Sequence, residues 1–333
     1  MRKALASLAR IVVTAAGATL GLGLLLTWVL RQPTMGAVPF SGTLRADSRI
    51  LEAHVRFLTS PEHCRCADNS AGLERAASYI AESFRRTGGR MSEQPYQAGG
   101  LQAKYLIAAF GPDSGPRIIV GAHYDVFNDF PGADDNASGV AGILELARLL
   151  EHQALESPVE IVAFSTEEPP YFGTGEMGSA IHAKSLARSG ERVRAMISLE
   201  MIGYFSPTQP NQNPLLHLLY PRNGRFIALV ARWEDRDLAR AAKRCFRGAT
   251  TVQAVSYSGP VSLGSDLSDQ RNYWARGYSG LMVTDTAFMR NLNYHGPDDT
   301  ADRLDYGRMA GVVDGVFNTL VHLANGPKAP VKP

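Results

Sequence analysis

The regular alternation of short apolar runs with helical segments, from residue 103 to the end, constrains the fold more than any other feature. AKYLIAAF and RIIVGA have strand composition and are separated by the turn-rich GPDSGP, which suggests a hairpin of adjacent strands. VAGILELARLLEH then reads as helix, VEIVAFS as a buried strand, MGSAIHAKSLARSG as helix and RAMISLE as strand. LLHLLYP, a long helix over FIALVARWEDRDLARAAKRCF, the strand SGLMVTD and a last helix over GVVDGVFNTLVHLAN continue the series. Strand, helix, strand in succession means crossover units, hence one α/β domain with a central mixed, mostly parallel sheet flanked by helices. Upstream, ILEAHVRFL and LERAASYIAESFRRTGG have helical spacing, with Gly88 as C-cap of the second.

Ile11 to Leu30 carries no charge and is long enough to cross a hydrocarbon core of about 30 Å. Arg2, Lys3 and Arg10 precede it, so the N-terminus is expected to stay in the cytoplasm and everything after Arg31 to be exported to the periplasm or the cell exterior. The competing reading is a cleaved signal peptide, but the apolar core is long for one and no A-x-A site follows closely. The expected division is a basic segment 1–10, a transmembrane anchor 11–30, a linker 31–45, one folded domain 46–327 and a tail 328–333. Net charge is +2 with no Lys/Arg run in the exported part, which gives no reason to expect nucleic acid as a partner. Of the three cysteines, Cys64, Cys66 and Cys245, at least one stays unpaired within the chain, and a lone C-x-C lacks the second pair that a structural zinc site needs.

In open α/β sheets ligands gather just past the carboxyl ends of strands. Here RIIVGA runs into His123-Tyr124-Asp125, VEIVAFST into Glu167-Glu168, RAMISL into Glu200, and SGLMVTD into a loop carrying His295. GADDNASG places Asp134, Asp135 and Asn136 before a helix that starts near Ser138. Taken singly, these residues have ordinary uses: a loop histidine held by a neighbouring acid, helix caps, solvated surface charges. Together they put nitrogen and oxygen donors on one rim, as zinc or another borderline divalent metal requires. Two histidines and three carboxylates fit two metals that share one bridging carboxylate with a water between them, leaving a further carboxylate to move protons. Asp125 reads as the acceptor for the ring N–H of His123.

The segments GAHYDV, PGADDNASGVA, FSTEE, LEMIGY and YHGPDDTADRLD resemble, in order and approximate spacing, the co-catalytic zinc exopeptidases that include bacterial leucine aminopeptidases and glutamate carboxypeptidase II. The resemblance implies a zinc-exopeptidase domain, a peptide substrate and two zinc ions. It makes His123 and Glu200 terminal ligands of one ion, Glu168 and His295 those of the other, Asp135 the bridge and Glu167 the general base. Asp134 and Asn136 become loop neighbours. The chain departs from the family pattern in having Glu200 where Asp is usual, and Ser268-Asp269-Gln270 where a Ser-Asp-His-like triplet is usual. Pro169 and Pro170 come just after the base, beyond Glu168, and stiffen the chain there. The likeness extends to glutaminyl cyclases, which use one zinc, although DDNASG is closer to the peptidases. A non-catalytic binding domain on the same fold is a third reading, against which all five donor positions are retained. Tyr171, Phe172, Tyr204, Tyr257 and Phe288 are aromatic candidates for the wall of a specificity pocket.

Overall fold

In the computed structural model, which describes residues 2–40, 42–214, 216–261 and 264–326, the chain opens with helix α1 (Arg2–Arg31). Its Arg10–Arg31 portion, of mean hydropathy 1.8, is long and apolar enough to cross a membrane. The expected tail 328–333 lies outside the described residues. Helices α2 (Ser48–Leu58) and α3 (Ser70–Arg85) are each started by a side chain that accepts a backbone N–H, Asp47 from Arg49 and Asn69 from Gly72. Helix α3 is capped at Arg86 rather than near Gly88, because Thr87 Oγ1 donates to the Phe84 carbonyl and closes the end early.

Strands β1 (Arg90–Ala98) and β2 (Leu101–Phe110) form the first hairpin, turned by Gly99 and Gly100 at φ 52° and 90°, the left-handed pair that a two-residue turn requires. The chain continues through β3 (Arg117–His123), α4 (Gly139–Leu150), β4 (Val159–Phe164), α5 (Gly178–Arg188) and β5 (Val193–Glu200). It ends with β6 (Phe226–Arg232), α6 (Arg236–Ala249), β7 (Gln253–Gly259), α7 (Gln270–Trp274), β8 (Gly280–Thr284) and α8 (Tyr306–Asn325). The sheet order is β1-β2-β4-β3-β5-β8-β6-β7. Neighbours run parallel at β4-β3, β3-β5, β5-β8 and β6-β7, and antiparallel at the other three junctions.

Three expectations are corrected. β2 and β3 are not a hairpin, because β4 inserts between them, antiparallel to β2 and parallel to β3. FIALVARWEDRDLARAAKRCF is not one helix: Phe226–Arg232 is a strand apolar on both faces, and α6 begins only after a short turn at Trp233–Asp235. The described part of LLHLLYP supplies no strand; Leu216–Leu218 is a single helical turn.

One sheet face is buried under α2, α3, α4, α6 and α8 in a core that includes Leu51, Ile80, Phe84, Leu146, Phe246 and Val313. The other face meets α5 and α7 through Phe164, Leu186 and Tyr273. At the β6-β7 end of that second face, Phe226, Ala228, Val230 and Val255 line a cavity. Residues 31–38 are strapped along α6 and β7. Lys243 Nζ donates to the carbonyls of Arg31 (2.9 Å) and Gln32 (3.1 Å), Ser256 Oγ to that of Arg31 (2.6 Å), and Arg247 to those of Thr34 and Gly36. Gly248 is needed where the strap crosses α6, since a Cβ there would run into the Val38 carbonyl.

His182 of α5 is buried beside Tyr273, Nδ1 lying 2.5 Å from the phenol oxygen. Burial, seconded by the Arg117 charge, pushes its imidazole down to about 3 from 6.5. A histidine whose folded pKa is depressed contributes full stability above pH 6.5 and loses it as pH falls toward 3, because only the unfolded chain takes up the proton. The loss is on the order of a few kcal/mol. The urea midpoint of the native chain should therefore fall more steeply between pH 6.5 and 4 than that of His182→Gln, and parallel curves would contradict this.

Candidate active site

The donors predicted from sequence converge at the carboxyl ends of the central strands. His123 ends β3, Glu200 ends β5, and Glu167 and Glu168 follow β4. Asp135 sits in the kinked turn Ala133–Ser138 that leads into α4, where it and Asn136 leave helical geometry. His295 comes from the loop after β8. Except for His295, whose side chain is about a quarter exposed, all are buried.

Asp135 stands between the two imidazoles: Oδ1 is 3.5 Å from His123 Nε2 and Oδ2 is 3.1 Å from His295 Nε2. Glu200 Oε2 is 3.4 Å from His123 Nε2, and Glu168 Oε2 is 3.2 Å from His295 Nε2. Glu167 Oε2 lies 3.9 Å from His123 Nε2. Three donor groups result, each with its atoms within 4.8 Å of one another: His123, Asp135 and Glu200; Asp135, Glu168 and His295; His123, Glu167 and Glu168. Asp135 belongs to the first two. Both ring nitrogens of His123, Nε2 of His295 and Oε1 of Glu168 are buried without a hydrogen-bond partner. Lone pairs and carboxylates aimed at common points, not at one another, fit divalent cations of the zinc type.

The surroundings hold these side chains in place. Asp125 Oδ1 lies 3.5 Å from His123 Nδ1, while Oδ2 accepts the N–H of Glu168 at 2.9 Å. Ser268 Oγ, itself 2.9 Å from Ser198 Oγ, donates to Glu200 Oε2 at 2.6 Å. The Asp299 carboxylate accepts the N–H groups of Asp134 and Asp135 and fixes their turn. Asp134 accepts Gly203 N–H, and Asn136 accepts Gly139 and Met201 N–H, so both serve the loop as neighbours. The His295 ring is stacked between Phe127 and Tyr294, with centroids 4.2 and 3.8 Å away. Thr166 just after β4, Met201 just after β5 and His295 itself take left-handed backbone angles of 59°, 53° and 53°, so three of the strained residues lie at the site. Sequence reading had assigned no part to Asp299 or Phe127. The GPDDT stretch that contains Asp299 was the available signal; for Phe127 there was none.

Burial of so many carboxylates shifts their titration. It pushes Glu167 well above the usual carboxylate range, Glu168 and Asp269 up to about 7, and Glu200 upward. Burial pushes Asp135 up too, but the adjoining imidazoles outweigh it and hold the group low. His295 rises to about 9, burial being overcome by Asp135 and Glu168. Clustered buried acids of this kind mark a site made to receive positive charge.

A cavity of about 490 Å³ leads from Asp135, Glu167, Glu168 and Glu200 to the apolar β6-β7 face. Of the aromatic residues expected in its wall, Phe172, Tyr257 and Phe288 are there. Tyr171 is instead buried with its hydroxyl on the Ala98 carbonyl, and Tyr204 lies outside the lining.

A mixed α/β sheet with this acid and imidazole rim defines the class of metal-dependent exopeptidases. Residues 106–320 match the model of peptidase family M28, and the chain belongs to that family. YfbL of Escherichia coli K12, an uncharacterised protein, is 45% identical over 304 residues, covering 88% of this chain and 93% of YfbL. Leucine aminopeptidase 1 of Coccidioides posadasii is 27% identical over 218 residues, 61% of this chain and 51% of the relative, so the chain spans about half the length of that relative. Among solved structures, the aminopeptidase LapA of Legionella pneumophila superposes with a TM-score of 0.69 at 22% identity, covering 84% of this chain and 73% of LapA.

Proposed function

We propose that this metallo-exopeptidase is a two-zinc aminopeptidase held outside the cytoplasm by α1. The observation that carries the reading is the Asp135 carboxylate, with one oxygen facing His123 and the other facing His295. In this reading His123, Glu200 and Asp135 hold one ion, and His295, Glu168 and Asp135 the other. Bound zinc supplies Lewis acidity, lowering the pKa of the attacking water and polarising the scissile carbonyl. Glu167, on the same rim, takes the proton from that water and passes it to the departing amine. Attack on an amino-terminal residue is favoured by charge. Among the described residues lining the cavity there is no Lys or Arg to receive a terminal carboxylate. The resemblance to leucine aminopeptidases and the apolar cavity agree on a leucine-like side chain at that position.

Metal analysis of the purified chain should give two zinc ions per molecule. A chelator should abolish hydrolysis of aminoacyl reporter peptides, and added zinc should restore it, since five donors exceed one tetrahedral site. One tightly held ion at saturating zinc would favour the cyclase reading instead.

A further inference from the structure

Helix α1 does not hang from the domain on a loose tether. Its last turn lies against β7, the edge strand whose opposite face lines the substrate cavity. Lys243, buried enough for its ammonium to be pushed down to about 8, joins the carbonyls of Arg31 and Gln32 to Ser256 of that strand. Leu30 packs beside Gly259, the Arg31 guanidinium lies 5.9 Å from the Tyr220 ring, and Tyr220 donates to the Ser256 carbonyl. Tyr220 and Tyr257 both line the cavity. Substrate site and helix end are thus one strand apart and rigidly joined.

Trp28 lies three residues before Arg31, roughly 4.5 Å along the helix. An aromatic residue followed by a basic one at the end of an apolar span marks headgroup depth. In the anchored reading, this would set the wall of the cavity at the bilayer surface. The domain is also apolar there: Leu267 and Phe288, each 41% exposed, line the cavity, and Leu218, 77% exposed, lies two residues from the lining residues Leu216 and Tyr220. Soluble domains bury or scatter such side chains, and a cluster around a mouth marks a contact surface.

We infer that the rim of the cavity rests on the bilayer and that the substrates are peptides whose apolar ends are adsorbed at the lipid surface. This rests on the anchored-aminopeptidase reading. The test uses the full chain in vesicles of phosphatidylethanolamine and phosphatidylglycerol, with Leu218→Cys carrying an environment-sensitive fluorophore and a second label at Arg188→Cys on α5 as the aqueous reference. Flotation with the vesicles reports the anchor. Blue-shifted emission at position 218 alone supports the inference; aqueous emission at 218 in floated protein overturns it and leaves the anchor standing; failure to float overturns both. Hydrolysis gives the second readout. Two peptides share an amino-terminal leucine, and one also carries an acyl chain that adsorbs it to the vesicle. The adsorbed peptide should be cleaved with kcat/KM higher by roughly tenfold or more, as expected of raised local concentration, and Leu218→Ser should lower only that value. Equal rates for the two peptides overturn the inference while leaving the aminopeptidase reading intact, and cleavage of neither overturns both.

Discussion

Glu167→Gln should bind both zinc ions as the native chain does and turn over roughly 10²–10⁴-fold more slowly, the range for loss of a general acid–base. The change is nearly isosteric and leaves the three residues of each proposed zinc site untouched. Glu167 faces the site at 3.9 Å from His123, but it lies outside the two donor groups that share Asp135. The lost stabilisation of the transition state is about 3–5 kcal/mol. Two measurements check it together: zinc content by metal analysis, and kcat/KM against pH, whose acidic limb should vanish with the carboxylate. Unchanged turnover would remove Glu167 from the reaction, whereas loss of zinc would make it a ligand.

Glu200→Ala should lose one zinc ion and reduce activity to background. Glu200 is the position where the chain departs from its family's usual aspartate, and the structure shows how the longer side chain is held: Ser268 donates to Oε2, which lies 3.4 Å from His123 Nε2. Shortening to Asp withdraws the carboxylate by about 1.5 Å, one carbon–carbon bond. Misplacement on that scale costs roughly 10²-fold in rate, so Glu200→Asp should keep partial activity and bind the ion more weakly. Ser268→Ala, which removes only the supporting hydroxyl, should weaken zinc binding by roughly 10–100-fold. Two zinc ions and nearly full kcat in the Ala variant would make Glu200 a structural carboxylate.

The site was legible because its donors directly follow strands that are themselves unmistakable. VEIVAF and RAMISL are mostly apolar and buried, as strands covered on both faces are, so Glu167 and Glu200 stand out as the first charges beyond them. Pairing order was less legible. GPDSGP has the composition of a hairpin turn, and nothing local records that β4 will enter between the strands it connects. β1 went unread because RMSEQPYQA, an exposed edge strand with Pro95 in it, has no apolar face to alternate. FIALVAR merged with the following helix because no Gly or Pro separates them; the break is the buried Asp235, which takes its ion pair from Arg232 instead of continuing a helix.

The strap over α6 has a consequence for any shortened, water-soluble form of the protein. β7 is an edge strand, and such strands template association with other chains unless something covers them. Here the backbone of Arg31 and Gln32 lies beside it, gripped by Ser256 from β7 and by Lys243 from α6. A chain begun at residue 40 keeps the candidate metal donors and the hydrophobic core but loses the segment that packs beside this strand. Beginning at Arg31 retains that segment, so the nine residues 31–39, which carry no chemistry, should set how readily the freed domain associates through β7.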